Sequence, residues 1–287
     1  MSLSKSLYPF HNHYIKLKSK HKMHYLDEGK GPPLIMVHGN PTWSFFYRDL
    51  VREFSKSYRV IVPDHIGCGF SDKPQDYAYT LKNHIENLNE LVEYLQFDKT
   101  QQKLNMIVHD WGGAIGFGMA KKRPQKFEKI VILNTAAYRS RDIPFAISSC
   151  RLPIIGEQVI RRFNGFAKAA TYMAVKNKLP KDVAAGFLHP YNNYKNRIAT
   201  WKFVLDIPMH KSHQSYKTLT EVEQALPMIS GEKMILWGGQ DFCFNMTFFK
   251  RWTEIYPQAK QVVLEKAGHY LLEDAKLESM AALKGFL

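Results

Sequence analysis

The chain has 287 residues, 45% of them hydrophobic and 23% charged, with a formal charge of +14. That is enough for one large domain with an insertion, and ordinary for a globular protein rather than a disordered or fibrous one. No apolar run approaches the ~20 residues that span a bilayer, the N-terminal stretch holds no apolar signal core, and Cys68, Cys150 and Cys243 lack the spacing of a zinc site or a disulfide framework, which predicts a reducing, cytoplasmic setting.

Taken in chain order, Tyr14–Leu17 and Lys22–Asp27 read as an edge hairpin. Leu34–Val37 and Tyr58–Val62 are short apolar runs, with a helical stretch over Phe45–Phe54 between them. A helix is predicted over Leu81–Leu95, a strand over Leu104–Val108, a helix over Gly113–Lys122 and a strand over Lys129–Leu133. Alternation then stops. The next strand, Lys233–Trp237, comes 99 residues later, and helical periodicity fills the gap, with Phe145, Phe163, Phe166, Tyr172, Met173, Phe187, Leu188 and Trp201 spread through it. The pattern resumes with a helix over Met246–Tyr256, a strand over Gln261–Leu264 and a last helix near Asp274–Leu287. Near-continuous apolar strands alternating with helices predict a mostly parallel central sheet flanked by helices, an α/β fold. The gap, far longer than a crossover needs, predicts a helical cap over residues 138–225 inserted into a core of residues 1–137 and 226–287.

The positive charge is uneven. Residues 138–225 carry 14 Lys/Arg against 6 Asp/Glu, and residues 1–30 carry 6 against 2. Surface solvation accounts for such a surplus; the functional alternative is peripheral association of the basic cap with an anionic membrane or a partner enzyme. Nucleic acid is not expected, because no binding motif accompanies the charge.

Four strand ends carry the chemistry. In Leu104-Asn-Met-Ile-Val-His-Asp110-Trp-Gly-Gly an apolar strand runs into a polar residue, glycines and a helix, the context of a nucleophile elbow with Asp110 where serine usually stands. Asp is also a good helix cap, so the motif alone leaves both readings open. Val37-His38-Gly39-Asn40-Pro41 follows another strand; in such folds this loop and the residue after the nucleophile supply the two oxyanion-hole N–H groups. Strands ending in Trp237-Gly-Gly-Gln-Asp241 and Leu264-Glu-Lys-Ala-Gly-His269 add an acid and a base in the order nucleophile, acid, histidine. His38 is expected to be a structural hydrogen-bonder in its turn. A carboxylate needs no deprotonation and attacks sp³ carbon bearing a leaving group, giving an alkyl ester. His269, supported by Asp241, would then activate water against that ester. No metal or cofactor enters this chemistry.

From about His11 onward the chain resembles the haloalkane dehalogenases, members of the α/β-hydrolase superfamily. The matching residues are HGNP at 38–41, PDHIGCGFSDKP at 63–74, HDWGG at 109–113, WGGQD at 237–241 and AGHYLLEDA at 267–275. The acid at Asp241, with no carboxylate in Asn134-Thr135-Ala136-Ala137, resembles the family's third subgroup, which includes the β-lactone decarboxylases of olefin biosynthesis. The resemblance implies an α/β-hydrolase fold, Asp110 as nucleophile, His269 as base and Asp241 as triad acid. It also implies halide or leaving-group contacts from the Asn40 and Trp111 side chains and a haloalkane dehalogenase-like hydrolase acting on a small apolar substrate, with a haloalkane and a cis-β-lactone both open as the physiological one. It makes a multi-enzyme assembly an expectation. An epoxide hydrolase is the alternative, with Tyr172, Tyr191 and Tyr194 as candidate acids, and a non-catalytic hydrolase-fold binding protein is a third reading.

Overall fold

The computed structural model describes residues 3–287. Its sheet has eight strands: β1 (His13–Lys16), β2 (Lys22–Glu28), β3 (Pro33–Val37), β4 (Arg59–Pro63), β5 (Leu104–Asp110), β6 (Phe127–Thr135), β7 (Glu232–Gly238) and β8 (Lys260–Leu264). They lie in the order β1-β2-β4-β3-β5-β6-β7-β8. β1 pairs antiparallel with β2 and β2 with β4, while all pairs from β4 to β8 are parallel. The hairpin therefore forms one edge, as the sequence pattern predicts. The apolar strands need cover on both faces: every residue of β3 and β5 is buried, because side chains alternate across the sheet and both sides meet helices.

The helices are α1 (Arg48–Phe54), α2 (Leu81–Tyr94) and α3 (Trp111–Ala120), then α4 (Phe145–Ser149), α5 (Ile155–Glu157), α6 (Gly165–Met173), α7 (Lys181–Leu188), α8 (Ile198–Leu205) and α9 (Tyr216–Ala225), and finally α10 (Met246–Ile255), α11 (Leu271–Asp274) and α12 (Lys276–Lys284). α2 begins where the Thr80 side chain accepts the Asn83 N–H, an ordinary N-cap. α3 is buried from Gly112 to Ala120 and apolar all round, as suits a helix enclosed between the sheet and its neighbours. Among the described residues no helix is long and apolar enough to cross a membrane.

The helices α4–α9 sit between β6 and β7, and are called the cap below. They are bound to the loop after β3: Trp43 Nε1 donates to Gly186 O at 3.2 Å, Tyr191 Oη to Thr42 O at 3.3 Å, and Asn40 Nδ2 to Thr200 O at 3.1 Å. β3 leads to β4 on one side and its other neighbour β5 leads to β6 on the opposite side, so the loops after β3 and β5 diverge at a topological switch point. Such a crevice, outside the carboxyl ends of the strands, is where open α/β sheets hold their ligands.

Candidate active site

Asp110 ends β5 and immediately precedes α3, with φ +53° and ψ −127°. A non-glycine residue at such angles is strained, and the neighbours explain how it is held. The adjoining turn admits no side chain at two glycines. A Cβ on Gly39 would lie 2.0 Å from Asp110 Oδ1, and one on Gly112 would lie 2.0 Å from Val37 O. Glycine lets the β3 loop close onto the carboxylate. The Asn40 N–H then donates to Asp110 Oδ1 at 2.6 Å, and the Trp111 N–H is a second backbone donor to the same carboxylate. Thr135 Oγ1 fixes the Asp110 carbonyl from β6. Side-chain capping of α3 by Asp110 is absent, which removes the helix-cap reading of this residue.

Across the crevice His269 Nε2 is 3.8 Å from Asp110 Oδ2, and His269 Nδ1 is 2.7 Å from Asp241 Oδ2. All three groups are buried. Burial pushes the Asp110 carboxyl above its ordinary range, against the pull of the His269 imidazole and the two N–H donors. Burial alone would lower His269; the charge and hydrogen bond of Asp241, joined by the Asp110 charge, outweigh it and raise the imidazole above its ordinary value. An imidazole oriented by one carboxylate and facing another can take a proton from a water lodged between them.

The structure brings together all five residues singled out from sequence: Asn40, Asp110, Trp111, Asp241 and His269. Asn40, Asp110, Trp111 and His269 line one cavity of about 300 Å³, with Phe166, Met173 and Leu219 of the cap among the apolar residues above them. The Trp111 ring packs on Phe203 of α8, 5.4 Å between centroids. The Asn40 amide is oriented by its bond to the Thr200 carbonyl, which places a cap helix directly behind it. His38 is structural, as expected: Nδ1 bonds Gly39 O at 2.7 Å and Nε2 accepts the His65 N–H at 3.1 Å. The cap aromatics divide. Phe166 faces the cavity, Phe187 is buried, and Phe145, Phe163 and Tyr172 face solvent.

The three tyrosines weighed as epoxide-opening acids are elsewhere. Tyr172 is exposed, Tyr194 bonds Glu157 at 2.7 Å, and Tyr191 is spent on Thr42 O; none lines the cavity.

Sequence reasoning missed two supporting residues. Asn134, at the end of β6, donates from Nδ2 to Asp241 Oδ2 at 2.9 Å and to Gly238 O at 3.1 Å, and accepts the Gly238 N–H at 2.7 Å. With the Cys243 N–H on Oδ1 at 2.7 Å, it fixes the acid from two sides. Its signal was the polar pair Asn134-Thr135 closing an apolar strand. Asp274, in α11, accepts Gly268 N at 2.8 Å, Lys176 N at 2.8 Å and Asn177 N at 2.9 Å, while Tyr270 N donates to Ala174 O at 2.7 Å. One carboxylate thus stitches the His269 loop to the cap segment that follows α6. Nothing local in the sequence pairs residues about a hundred positions apart.

The comparisons with known proteins agree with this fold. The alpha/beta hydrolase fold family matches residues 32–276. A cis-3-alkyl-4-alkyloxetan-2-one decarboxylase of Shewanella oneidensis is 40% identical over 98% of this chain and 90% of its own length. Haloalkane dehalogenase 2 of Mycobacterium bovis is 29% identical over 96% and 95%. The crystal structure of the haloalkane dehalogenase DbeA from Bradyrhizobium elkani superposes with a TM-score of 0.86 at 23% identity, covering 96% of this chain and 97% of that one, a likeness of fold. The chain belongs to the α/β-hydrolase family, among the enzymes that include these decarboxylases and dehalogenases.

Proposed function

We propose that this enzyme uses Asp110 as a covalent nucleophile at an sp³ carbon of a small apolar substrate, and that its physiological substrate is a cis-3,4-dialkyl oxetan-2-one. The observation that carries the reading is the carboxylate itself, strained at an elbow, held by two backbone N–H groups and facing His269 beneath an apolar cavity. With a haloalkane, displacement gives an ester on Asp110 while the Asn40 and Trp111 side chains receive the halide. His269, paired with Asp241, activates the water that cleaves the ester, and the Asn40 and Trp111 N–H groups bind the tetrahedral oxyanion. With a β-lactone, attack at the sp³ ring carbon that bears the ring oxygen breaks that C–O bond and frees a carboxylate instead of a halide. Loss of CO₂ then returns an electron pair that expels Asp110 and leaves the alkene, with no water consumed. The preference for the lactone is supported by the 40% identity to an oxetan-2-one decarboxylase. A cytoplasmic setting and a partner enzyme belong to the same reading.

The test is a His269→Gln variant treated with 1-bromohexane, followed by intact-mass and peptide analysis. A hexyl ester should accumulate on Asp110, because loss of a general base slows the second step by about 10²–10⁴-fold. Wild-type enzyme should turn a cis-β-lactone into alkene and CO₂ faster than it hydrolyses the bromide or an epoxide. Absence of an Asp110 adduct from 1-bromohexane, or lactone decarboxylation that survives Asp110→Asn, sinks the nucleophile assignment; faster epoxide turnover would favour the epoxide hydrolase.

A further inference from the structure

Fifteen large apolar side chains are exposed among the described residues, and eight of them fall within residues 145–173 of the cap. Phe145 is 87% exposed, Ile154 75% and Phe163 62%. Scattered apolar residues on a surface need no explanation, but a concentration of this kind does. Ile154 adds a second observation. It has φ +63°, a conformation that a β-branched residue adopts only under strain, and its side chain gains no packing in return.

Cations are interleaved with these residues. Arg141, Arg162, Lys168, Lys176 and Lys178 are all exposed. The segment 139–178 holds two acids; Glu157 is paired with Arg161, and Asp142 is the one exposed carboxylate. The patch is also continuous with the cavity: Val159 and Met173 are exposed and line it, and Ile147 and Phe166 line it from the same segment.

We infer that this face of the cap docks on an anionic lipid surface, with its apolar residues at the acyl boundary and its cations among the headgroups. Bulky apolar side chains interleaved with lysine and arginine are what such a surface binds. The charge favours lipid over a protein partner: three of the five exposed cations are lysine, which is depleted from protein–protein contacts, although arginine and aromatic residues are enriched there. An apolar substrate dissolved in the bilayer would then pass into the cavity without crossing water. That last clause rests on the reaction proposed above; the docking does not.

Flotation with phosphatidylcholine vesicles, with and without phosphatidylserine, tests the inference in two double variants, Phe145→Ser/Ile154→Ser and Arg162→Glu/Lys168→Glu. None of these four residues lines the cavity. Wild-type protein should float with the anionic vesicles only and lose binding at high salt. Each variant should lower partitioning roughly tenfold or more, while turnover of a short water-soluble haloalkane stays at the wild-type level. No vesicle binding, or binding that both variants retain, overturns the inference. So does a concentration-dependent dimer abolished by Phe145→Ser/Ile154→Ser, which would assign the patch to a second copy of the chain. Failure of wild type to turn over any haloalkane or lactone would strike the reaction and leave the docking result standing.

Discussion

Asp274→Asn should separate the two halves of the proposed reaction. The carboxylate receives N–H groups from Gly268, Lys176 and Asn177, all at 2.8–2.9 Å. Hydrogen bonds to a charged group contribute about 1.5–3 kcal/mol each. An asparagine keeps one accepting oxygen, which can still serve the cap residues, but it turns an NH₂ toward the Gly268 N–H. One charged bond is lost and two donors face each other, at a cost of about 2 kcal/mol once partial exposure is discounted. Gly268 directly precedes His269, so the displacement falls on the base. Asp110 is held by the Asn40 and Trp111 N–H groups and by Thr135, none of which Asp274 touches. Ester hydrolysis should therefore slow by about 10–30-fold, 2 kcal/mol being close to the upper figure, while alkylation changes less than about twofold. Rapid quench with 1-bromohexane reads both: bromide should appear as a burst equal to the enzyme concentration, followed by a slow steady state. Amide exchange should quicken at Gly268 and change less at Lys176, which keeps the remaining oxygen. If the burst phase slows as much as the steady state, Asp274 supports the fold at large; if neither changes, the loop is held by other contacts and the reasoning is wrong.

Asn134→Ala removes three buried hydrogen bonds and leaves the Gly238 N–H unpaired. Unfolding free energy measured in urea should fall by about 3 kcal/mol, and ester hydrolysis should slow more than alkylation because Asp241 loses a donor. Gly39→Ala places a Cβ against Asp110; alkylation should drop by about 100-fold or more, measured as single-turnover halide release, since a misplaced nucleophile loses its attack geometry. The two steps should also differ in pH dependence. Alkylation needs ionised Asp110, whose raised value puts the acid limb above that of an ordinary carboxyl. Hydrolysis needs neutral His269; the Asp110 charge that helps raise it disappears in the ester, so the hydrolytic limb should lie below the His269 value of the free enzyme by NMR. The same raised His269 contributes stability that is fully present below its unfolded value near 6.5 and lost as pH rises through the folded one, so the His269→Gln penalty in unfolding free energy should shrink on going from acid to alkaline pH.

Much of this was legible in the chain. Strand and helix positions followed from apolar periodicity, because a sheet covered on both faces leaves nearly unbroken apolar runs. Asn40, Asp110, Trp111, Asp241 and His269 could be named since each sits at or just after a strand end, where residue order fixes position within the fold. Four of them converge on the cavity, and Asp241 stands behind His269. Tertiary structure decided what depends on distant partners. Whether Tyr172, Tyr191 or Tyr194 reaches the cavity turns on how cap helices rotate over the core, and sequence periodicity gives a helix face without its neighbour. The roles of Asn134 and Asp274 are bonds across about a hundred residues, set by packing. Asp110 itself shows both sides of this: the sequence supplied the carboxylate at its turn, while its raised pKa and its two N–H donors exist only because β3, β5 and β8 end in one buried crevice.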